Sequence, residues 1–397
     1  MNYFVINNAN IVTPTEVIPG GSVIVENGKI KEISRVSHLH EPSEHFVIEA
    51  NGNYLMPGII DIHTDAMDHE ICPRPGADFP VEVAFSELEK RMCSAGITTV
   101  FHSIHLGYYD AEHNQRSKYT RTQIFEEVYK ASQKSTLINN RIHLRYEITG
   151  VKDYELCFEL VDKGLVKLFS FMDHTPGQGQ YPLEKYIVMA KKRGLNEEQA
   201  IEELQKRQGR PKISKEQIVE LIRFLQERNI HIASHDDDTV AKVEENHALG
   251  IDICEFPINI ETAQRAIELD MHVVGGASNV LRGGSTGGNL HVQEAIALGA
   301  INVLCSDYYS PSLLHSTFML FQQNVLSLPE AVNLVTRNAA ISVGLEQTKG
   351  SIEPGKDADM LMINYADNFP TVTYTIVGGN ISGKYNLIER KVHEFSN

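Results

Sequence analysis

Short runs of apolar residues, separated by turn signals, make up both ends of the chain. Asn27 and Gly28 lie between two such runs, and because both residue types tolerate a positive φ, they predict a two-residue hairpin turn. Towards the C-terminus, Gly378 and Gly379 interrupt runs of the same kind. The two β-rich ends predict one small β-sandwich domain built from 1–55 and 349–397. The predicted strands are Tyr3–Ile6, Asn10–Thr13, Ser22–Glu26, Lys29–Ser34, Phe46–Glu49, Asp359–Ile363 and Thr371–Val377.

The middle of the chain, 56–348, alternates apolar runs with helical patterns. One helix is predicted over Ser214–Glu227, where Ser214 and Gln217 form a capping box ahead of an apolar stripe. Eight strand–helix units predict an α/β fold, a TIM-like (β/α)8 barrel with its active site at the carboxyl ends of the strands. Residues 185–212 exceed a normal connection and predict a helical insertion over the barrel mouth. The eight runs end at Ile62–His63, Val100–His102, Leu144–Glu147, Leu168–Met172, Ile232–His235, Ile253–Phe256, Val273–Gly275 and Val303–Asp307.

Polar side chains follow six of these runs, at the end where a barrel places its catalytic groups. His63 and Asp65 have the i, i+2 spacing that points two side chains of a strand to the same face. Imidazole and carboxylate groups suit a borderline divalent ion, so the pattern predicts a metal site. Two residues of the acidic run 236–238 are predicted to start the next helix. The strand-end residues are His63, Asp65, His102, Glu147, His174, His235 and Asp307. For His102 and His105 two roles are left open: a purely structural one, or hydrogen bonding to the residues that ligate the metal.

The charge and cysteine content of the chain limit its class. Lys+Arg 36 and Asp+Glu 52 give a formal net charge of −16, which disfavours nucleic acid and anionic membranes as partners. The five cysteines form no CxxC pair, as is typical of a reducing compartment, and no apolar run reaches membrane-spanning length. With no basic region before Lys29 to mark a signal peptide, we expect a cytoplasmic enzyme.

Several motifs, in order along the chain, resemble the amidohydrolase superfamily of metal-dependent hydrolases. Leu55–Asp65 (LMPGIIDIHTD) and Gly350–Ile363 (GSIEPGKDADMLMI) carry this resemblance, which implies a (β/α)8 barrel with a small composite β-sandwich. More specific blocks resemble the branch that hydrolyses α-D-ribose 1-methylphosphonate 5-triphosphate in phosphonate catabolism. These blocks are PRPGADFP (Pro73–Pro80), GITTVFHSI (Gly96–Ile104), IHLRYE (Ile142–Glu147), FMDHTPGQGQY (Phe171–Tyr181), ASHDDDT (Ala233–Thr239), EFP (Glu255–Pro257), GASNVLRGGSTGGN (Gly276–Asn289) and SDYYSPSLL (Ser306–Leu314).

The resemblance implies one or two divalent metals, with Zn²⁺ favoured over Mn²⁺ or Fe²⁺. Many superfamily members bridge two metals with a carbamylated lysine. Here Glu147 is preferred as the bridging carboxylate, and Lys167 is the alternative. Asp307 and His235 are the expected catalytic residues, with Asp307 accepting the proton of the attacking water. The implied metal ligands are His63, Asp65, Glu147, His174, His235 and Asp307.

The implied substrate is a small phosphorylated sugar phosphonate, whose α–β phosphoanhydride would be cleaved to the 5-phosphate and pyrophosphate. Its phosphates need cationic and hydrogen-bonding partners, for which Arg74, Arg282 and Ser285 are the candidates. Relatives of that branch carry a basic residue in the loop that here reads Gln178-Gly179-Gln180, so no phosphate contact is predicted there. An amidase or deaminase acting on a carbon–nitrogen bond of a small cyclic substrate is the alternative. Homo-oligomer formation is left open.

Overall fold

The computed structural model describes residues 3–37, 46–107, 117–134, 136–177, 179, 183–192, 194–284 and 289–386. None of the helices in these ranges is long and apolar enough to cross a membrane. In chain order the strands are β1 (Tyr3–Val12), β2 (Val17–Glu26), β3 (Lys29–Ser34), β4 (Phe46–Glu49), β5 (Tyr54–Pro57), β6 (Ile59–Thr64), β7 (Ile97–Leu106), β8 (Asn139–Glu147), β9 (Val166–Met172), β10 (His231–His235), β11 (Ile253–Glu255), β12 (His272–Gly276), β13 (Val303–Cys305), β14 (Met360–Ala366), β15 (Phe369–Val377) and β16 (Asn380–Lys384). The helices are α1 (Ala66–Ile71), α2 (Val81–Ser94), α3 (Arg121–Ser132), α4 (Tyr154–Asp162), α5 (Leu183–Lys192), α6 (Glu197–Gln208), α7 (Lys215–Gln226), α8 (Val240–Ala248), α9 (Ile260–Glu268), α10 (Ala277–Arg282), α11 (Val292–Ala297), α12 (Ser312–Gln322), α13 (Leu328–Asn333) and α14 (Arg337–Ser342).

Strands β6 to β13 form one sheet of eight parallel strands in sequential order. A parallel bridge between Thr64 and Asp307 joins β6 to the segment after β13, so the sheet is nearly closed into a barrel. One apolar core fills the barrel and a larger one lies between the barrel and its helices. Strands buried on both faces read as nearly continuous apolar runs, which is why the sequence pattern located all eight. The predicted (β/α)8 barrel is confirmed.

Strand β7 is longer than the sequence pattern indicated. Because it continues to Leu106, His102 lies inside the strand and not at its end. The His102 ring packs against Phe85 of α2 with 5.8 Å between centroids, and its Nε2 is 2.9 Å from Asn140 Oδ1. The expectation that His102 ends a strand at the barrel mouth is therefore wrong. Its side chain faces the helix layer and has a structural role.

The second sheet contains strands from both ends of the chain. Its order is β16-β15-β14-β5-β1-β2-β3, with β4 paired to β1. Asn27 and Gly28, at φ 52° and 78°, form the predicted turn between β2 and β3. The predicted strands Tyr3–Ile6 and Asn10–Thr13 are one strand, β1. A register shift next to Asn8, at φ 54°, absorbs the break in the pattern without ending the pairing with β2.

The structure contains helices at the predicted insertion 185–212 and at the predicted helix Ser214–Glu227. Helices α5 and α6 occupy the predicted insertion 185–212 and share a small apolar core of their own. Their placement over the barrel mouth stays a prediction, as do the domain limits. The helix predicted at Ser214–Glu227 is α7, and the capping box between Ser214 and Gln217 is present.

Candidate metal centre at the barrel mouth

Strand β8 points a row of polar side chains into the barrel. Its last residues, Ile142–Glu147, alternate apolar and polar, and the apolar ones pack in the core between the barrel and its helices. Since successive side chains of a strand point to opposite faces, His143, Arg145 and Glu147 face the interior. His143 lies deepest, with its Nε2 2.9 Å from Ser170 Oγ. Arg145 and Glu147 come one and two steps nearer to the mouth.

His63, Asp65 and Asp307 form the first group of candidate ligands. One ligand atom of each lies within 4.8 Å of the other two, and His63 Nε2 is 3.7 Å from Asp65 Oδ1. The main chain holds the group together. The Asp307 N–H donates to the His63 carbonyl at 3.0 Å, and the Asp65 N–H donates to the Asp307 carbonyl at 2.6 Å. The candidate ligands of the first and last barrel strands therefore lie side by side.

His174, His235 and Asp236 form the second group, again with ligand atoms within 4.8 Å of one another. His235 Nδ1 lies 3.2 Å and His174 Nε2 lies 3.9 Å from the same oxygen, Asp236 Oδ2. Asp236 reaches this position because it leaves β10 at φ 55°, a left-handed conformation that Asp tolerates better than most residues. Glu147 joins the group through His174, whose Nδ1 lies 2.7 Å from Glu147 Oε2.

Glu255, at the end of β11, completes a third group with His63 and His235. Its Oε1 lies 3.0 Å from His63 Nδ1, and its side chain is fully buried. The next residue, Phe256, packs its ring edge-on against His63 and His235, with centroids 5.0 and 5.2 Å away. Phe256 is held at φ 54°, which is rare for a bulky residue and typical of functional sites. This aromatic contact fixes the two imidazole rings.

The guanidinium of Arg145 lies between these groups. Its Nη1 donates to Asp65 Oδ1 at 2.5 Å and lies 3.1 Å from His105 Nε2. Its Nη2 lies 3.1 Å from His235 Nε2. Only 4% of Arg145 is exposed, so a permanent positive charge is buried among the candidate ligands.

Burial dominates the electrostatics of the cluster. Burial and the charge of Arg145 hold the pKa of His63 well below its usual 6.5, so the imidazole is neutral and keeps a lone pair for a metal. Burial also raises the pKa of Glu255. Burial, with the negative charge of Asp65, raises the pKa of Asp307 to about 7. Ionising all of these carboxyl groups at once is therefore energetically unfavourable unless positive charge is added to the site.

The buried donor atoms fit a divalent metal. His63 Nε2 and Glu255 Oε2 are buried and form no hydrogen bond within the described residues. Buried polar atoms of proteins normally have a partner. Nitrogen and oxygen atoms are both ligands that a borderline cation accepts, and the three ligand groups offer no thiolate.

The structure brings all six predicted metal ligands into this cluster, through the contacts described above. They are His63, Asp65, Glu147, His174, His235 and Asp307. Lys167, the alternative to Glu147 as the bridging group, is exposed on β9. It therefore lies outside the buried cluster and does not bridge metals there. Whether Glu147 does so stays a prediction.

The predicted phosphate-binding residues lie farther out. Arg74 is exposed in the loop that follows α1. Arg282 is exposed at the end of α10, where its Nη1 donates to the Tyr308 hydroxyl at 3.3 Å. Because Tyr308 directly follows the candidate ligand Asp307, this contact places Arg282 at the rim of the mouth. Ser285 lies outside the described residues.

Sequence analysis missed three members of the cluster: Arg145, Asp236 and Glu255. The alternation in IHLRYE could have identified Arg145, and the position of Glu255 at the end of an apolar run could have identified it as well. Asp236 was one of three acidic residues of which two were expected to start a helix. The structure begins α8 after Thr239, whose own side chain caps it, and no acidic residue lies in its first turn. The helix-start expectation is therefore wrong.

Residues 54–382 match the model of the amidohydrolase family. This chain belongs to the amidohydrolase family. The amidohydrolase is 36% identical to the α-D-ribose 1-methylphosphonate 5-triphosphate diphosphatase of Escherichia coli (strain K12), over 382 residues that cover 92% of this chain and 96% of that relative. The resemblance predicted from the sequence is thus confirmed.

More distant proteins agree with this assignment. The amidohydrolase is 20% identical to the imidazolonepropionase of Thermoplasma volcanium over 396 residues, which cover 90% of this chain and 87% of that relative. The crystal structure of another amidohydrolase superposes with a TM-score of 0.66 at 17% identity, covering 97% of this chain and 100% of that one. At this identity the superposition supports the fold alone.

Proposed function

We propose that this amidohydrolase cleaves the α–β phosphoanhydride of α-D-ribose 1-methylphosphonate 5-triphosphate, releasing the 5-phosphate and pyrophosphate. The observation that carries the proposal is the 36% identity, over nearly the whole of both chains, to the Escherichia coli diphosphatase named for this substrate. The buried cluster at the barrel mouth supports it, because phosphoryl transfer depends on cations that neutralise the phosphate oxygens.

One or two divalent ions, with Zn²⁺ favoured, would be held by the imidazole and carboxylate groups of the cluster. When bound, a divalent metal acts as a Lewis acid that stabilises negative charge on phosphoryl oxygens and lowers the pKa of water. The residues that would hold it are His63, Asp65 and Asp307 on one side and His174, His235 and Asp236 on the other, with Glu255 and Glu147 beside them.

The chain's own groups account for the remaining requirements of the reaction. Water attacks the α phosphorus, the bond to the α–β bridging oxygen breaks, and pyrophosphate leaves. Asp307 accepts the proton of the attacking water, because its carboxylate lies beside the candidate metal ligands His63 and Asp65, where the first and last barrel strands meet. The Phe256 ring keeps His235 in its orientation. Arg282 binds the leaving pyrophosphate from the rim, and Arg74 is the second candidate for the polyphosphate.

The test is product analysis by phosphorus NMR, run with the triphosphate in ¹⁸O-labelled water and beside a panel of cyclic amides. Attack at the α phosphorus puts the label in the ribose 5-phosphate product and none in pyrophosphate. Label in pyrophosphate would reject attack at the α phosphorus. Hydrolysis of a cyclic amide with no cleavage of the triphosphate would replace the proposal with carbon–nitrogen chemistry. The Asp307→Asn variant serves as the control and should form neither product.

A further inference from the structure

The buried guanidinium of Arg145 has a consequence for how many metals the site can hold. Arginine has only donors, so the nitrogen that faces it, His235 Nε2, must supply a lone pair to the 3.1 Å contact. A neutral imidazole has one such nitrogen. His235 therefore carries its proton on Nδ1, next to Asp236 Oδ2 at 3.2 Å.

This hydrogen bond and metal ligation by His235 exclude each other. A metal at Nε2 would take the lone pair that Arg145 uses. A metal at Nδ1 would leave the proton on Nε2, and two donors would then face each other at 3.1 Å. In either case the guanidinium must leave His235 before a metal binds there.

Asp65, which accepts from Arg145 Nη1, has no such restriction. An ionised carboxylate offers about four lone-pair sites, so Asp65 can accept from Arg145 and still bind a metal. The group His63, Asp65 and Asp307 can therefore take a metal with Arg145 in place. The other two groups of candidate ligands both contain His235.

We propose that Arg145 is a built-in cation that competes with a metal ion for His235. The chain then binds one metal tightly through His63, Asp65 and Asp307. A second metal, held through His235, binds only by displacing the guanidinium and is weaker. This inference rests on the metal-binding part of the proposed function and on no property of the substrate.

The competition is tested by titrating the metal-free protein with Zn²⁺ against a chromogenic chelator, with elemental analysis of the saturated protein. Arg145→Met keeps an unbranched side chain but removes the charge and every donor. Arg145→Lys keeps the charge without the planar fork. Arg141→Met is the matched control, since Arg141 lies on the same strand and its guanidinium packs over Phe101, 5.6 Å from the ring centroid.

We expect two binding steps in the wild-type protein. Arg145→Met should tighten the second step by about ten- to a hundredfold, the range set by one hydrogen bond to a charged group, and leave the first within a few-fold. Arg145→Lys should lie between, and Arg141→Met should match the wild type. A second step that is unchanged or weaker in Arg145→Met would overturn the inference.

The tautomer of His235 gives a second measurement that needs no variant at position 145. Long-range ¹H–¹⁵N spectra of the metal-free protein should show the His235 proton on Nδ1, with His235→Gln used to assign the signal. A proton on Nε2 overturns the inference even if a variant fails to fold. Because neither measurement uses substrate, failure of the triphosphate assay leaves the competition standing. If the second Zn²⁺ affinity is the same in the wild type and in Arg145→Met, the competition is rejected, while the proposed diphosphatase function is unaffected.

Discussion

Glu255 offers the sharpest test of how the candidate ligand His63 is oriented. Its Oε1 lies 3.0 Å from His63 Nδ1, and the two side chains are 0% and 1% exposed. This contact keeps the proton on Nδ1 and turns the lone pair of Nε2 towards Asp65, 3.7 Å away. A carboxylate partner of this kind changes metal affinity by about 10–100-fold, which corresponds to about 1.4–2.8 kcal/mol.

Two substitutions separate the contribution of the Glu255 charge to metal affinity from that of its hydrogen bond to His63. Glu255→Gln keeps an oxygen that can accept from His63 but loses the charge, so we expect metal affinity to fall about tenfold. Glu255→Leu removes both and leaves the His63 N–H without a partner, so we expect a fall of about a hundredfold. Metal affinity is measured by chelator competition at fixed pH, and thermal unfolding of the metal-free proteins checks that each variant folds.

A matched control shows whether the fall in metal affinity comes from losing the orientation of His63 or from replacing a buried glutamate anywhere in the protein. Glu89 is 6% exposed, and its Oε1 accepts from the Leu137 N–H at 2.9 Å and from Asn140 Nδ2 at 2.8 Å, outside the ligand cluster. Glu89→Gln should alter thermal stability but keep wild-type metal affinity. If Glu255→Leu binds metal as tightly as the wild-type protein, Glu255 neither orients His63 nor ligates, and the reasoning is refuted.

Two further predictions concern the rim and the helix layer. Arg282→Ala should lower kcat/KM for the triphosphate about ten- to a hundredfold, mainly through KM, with unchanged metal content, and Arg282→Lys should recover part of the loss; an unchanged kcat/KM would remove Arg282 from the phosphate site. Burial lowers the pKa of His102 from 6.5 to about 4, so between these values the unfolded chain binds a proton that the folded chain does not. His102 should therefore contribute about 3 kcal/mol to the stability lost as the pH drops through this window, measured by denaturant unfolding of the wild type and of His102→Gln. His102→Gln should lack this loss and the exposed-site control His247→Gln should keep it; equal acid sensitivity in wild type and His102→Gln would contradict the assignment.

The architecture of this protein could be predicted from its sequence because local patterns specify it. Eight apolar runs identified the barrel strands, since a strand buried on both faces consists mostly of apolar residues. Asn27-Gly28 and the Ser214–Gln217 capping box are read within four residues, and each appears in the structure as predicted. The candidate ligands were likewise found as polar residues that directly follow apolar runs.

Tertiary structure decided which polar side chains share the site. His102 and Arg145 belong to neighbouring strands, yet they point to opposite faces. The register pairs His102 with Ile142, which faces the helices, and pairs His105 with Arg145, which faces the barrel interior. Glu255 joins the cluster from the end of β11, and Asp236 joins it from a left-handed position directly after β10. A strand's pattern determines which residues share a face, but not which of the two faces points into the barrel. The closure of the eight strands into a barrel therefore determined the position of Arg145 among the candidate ligands.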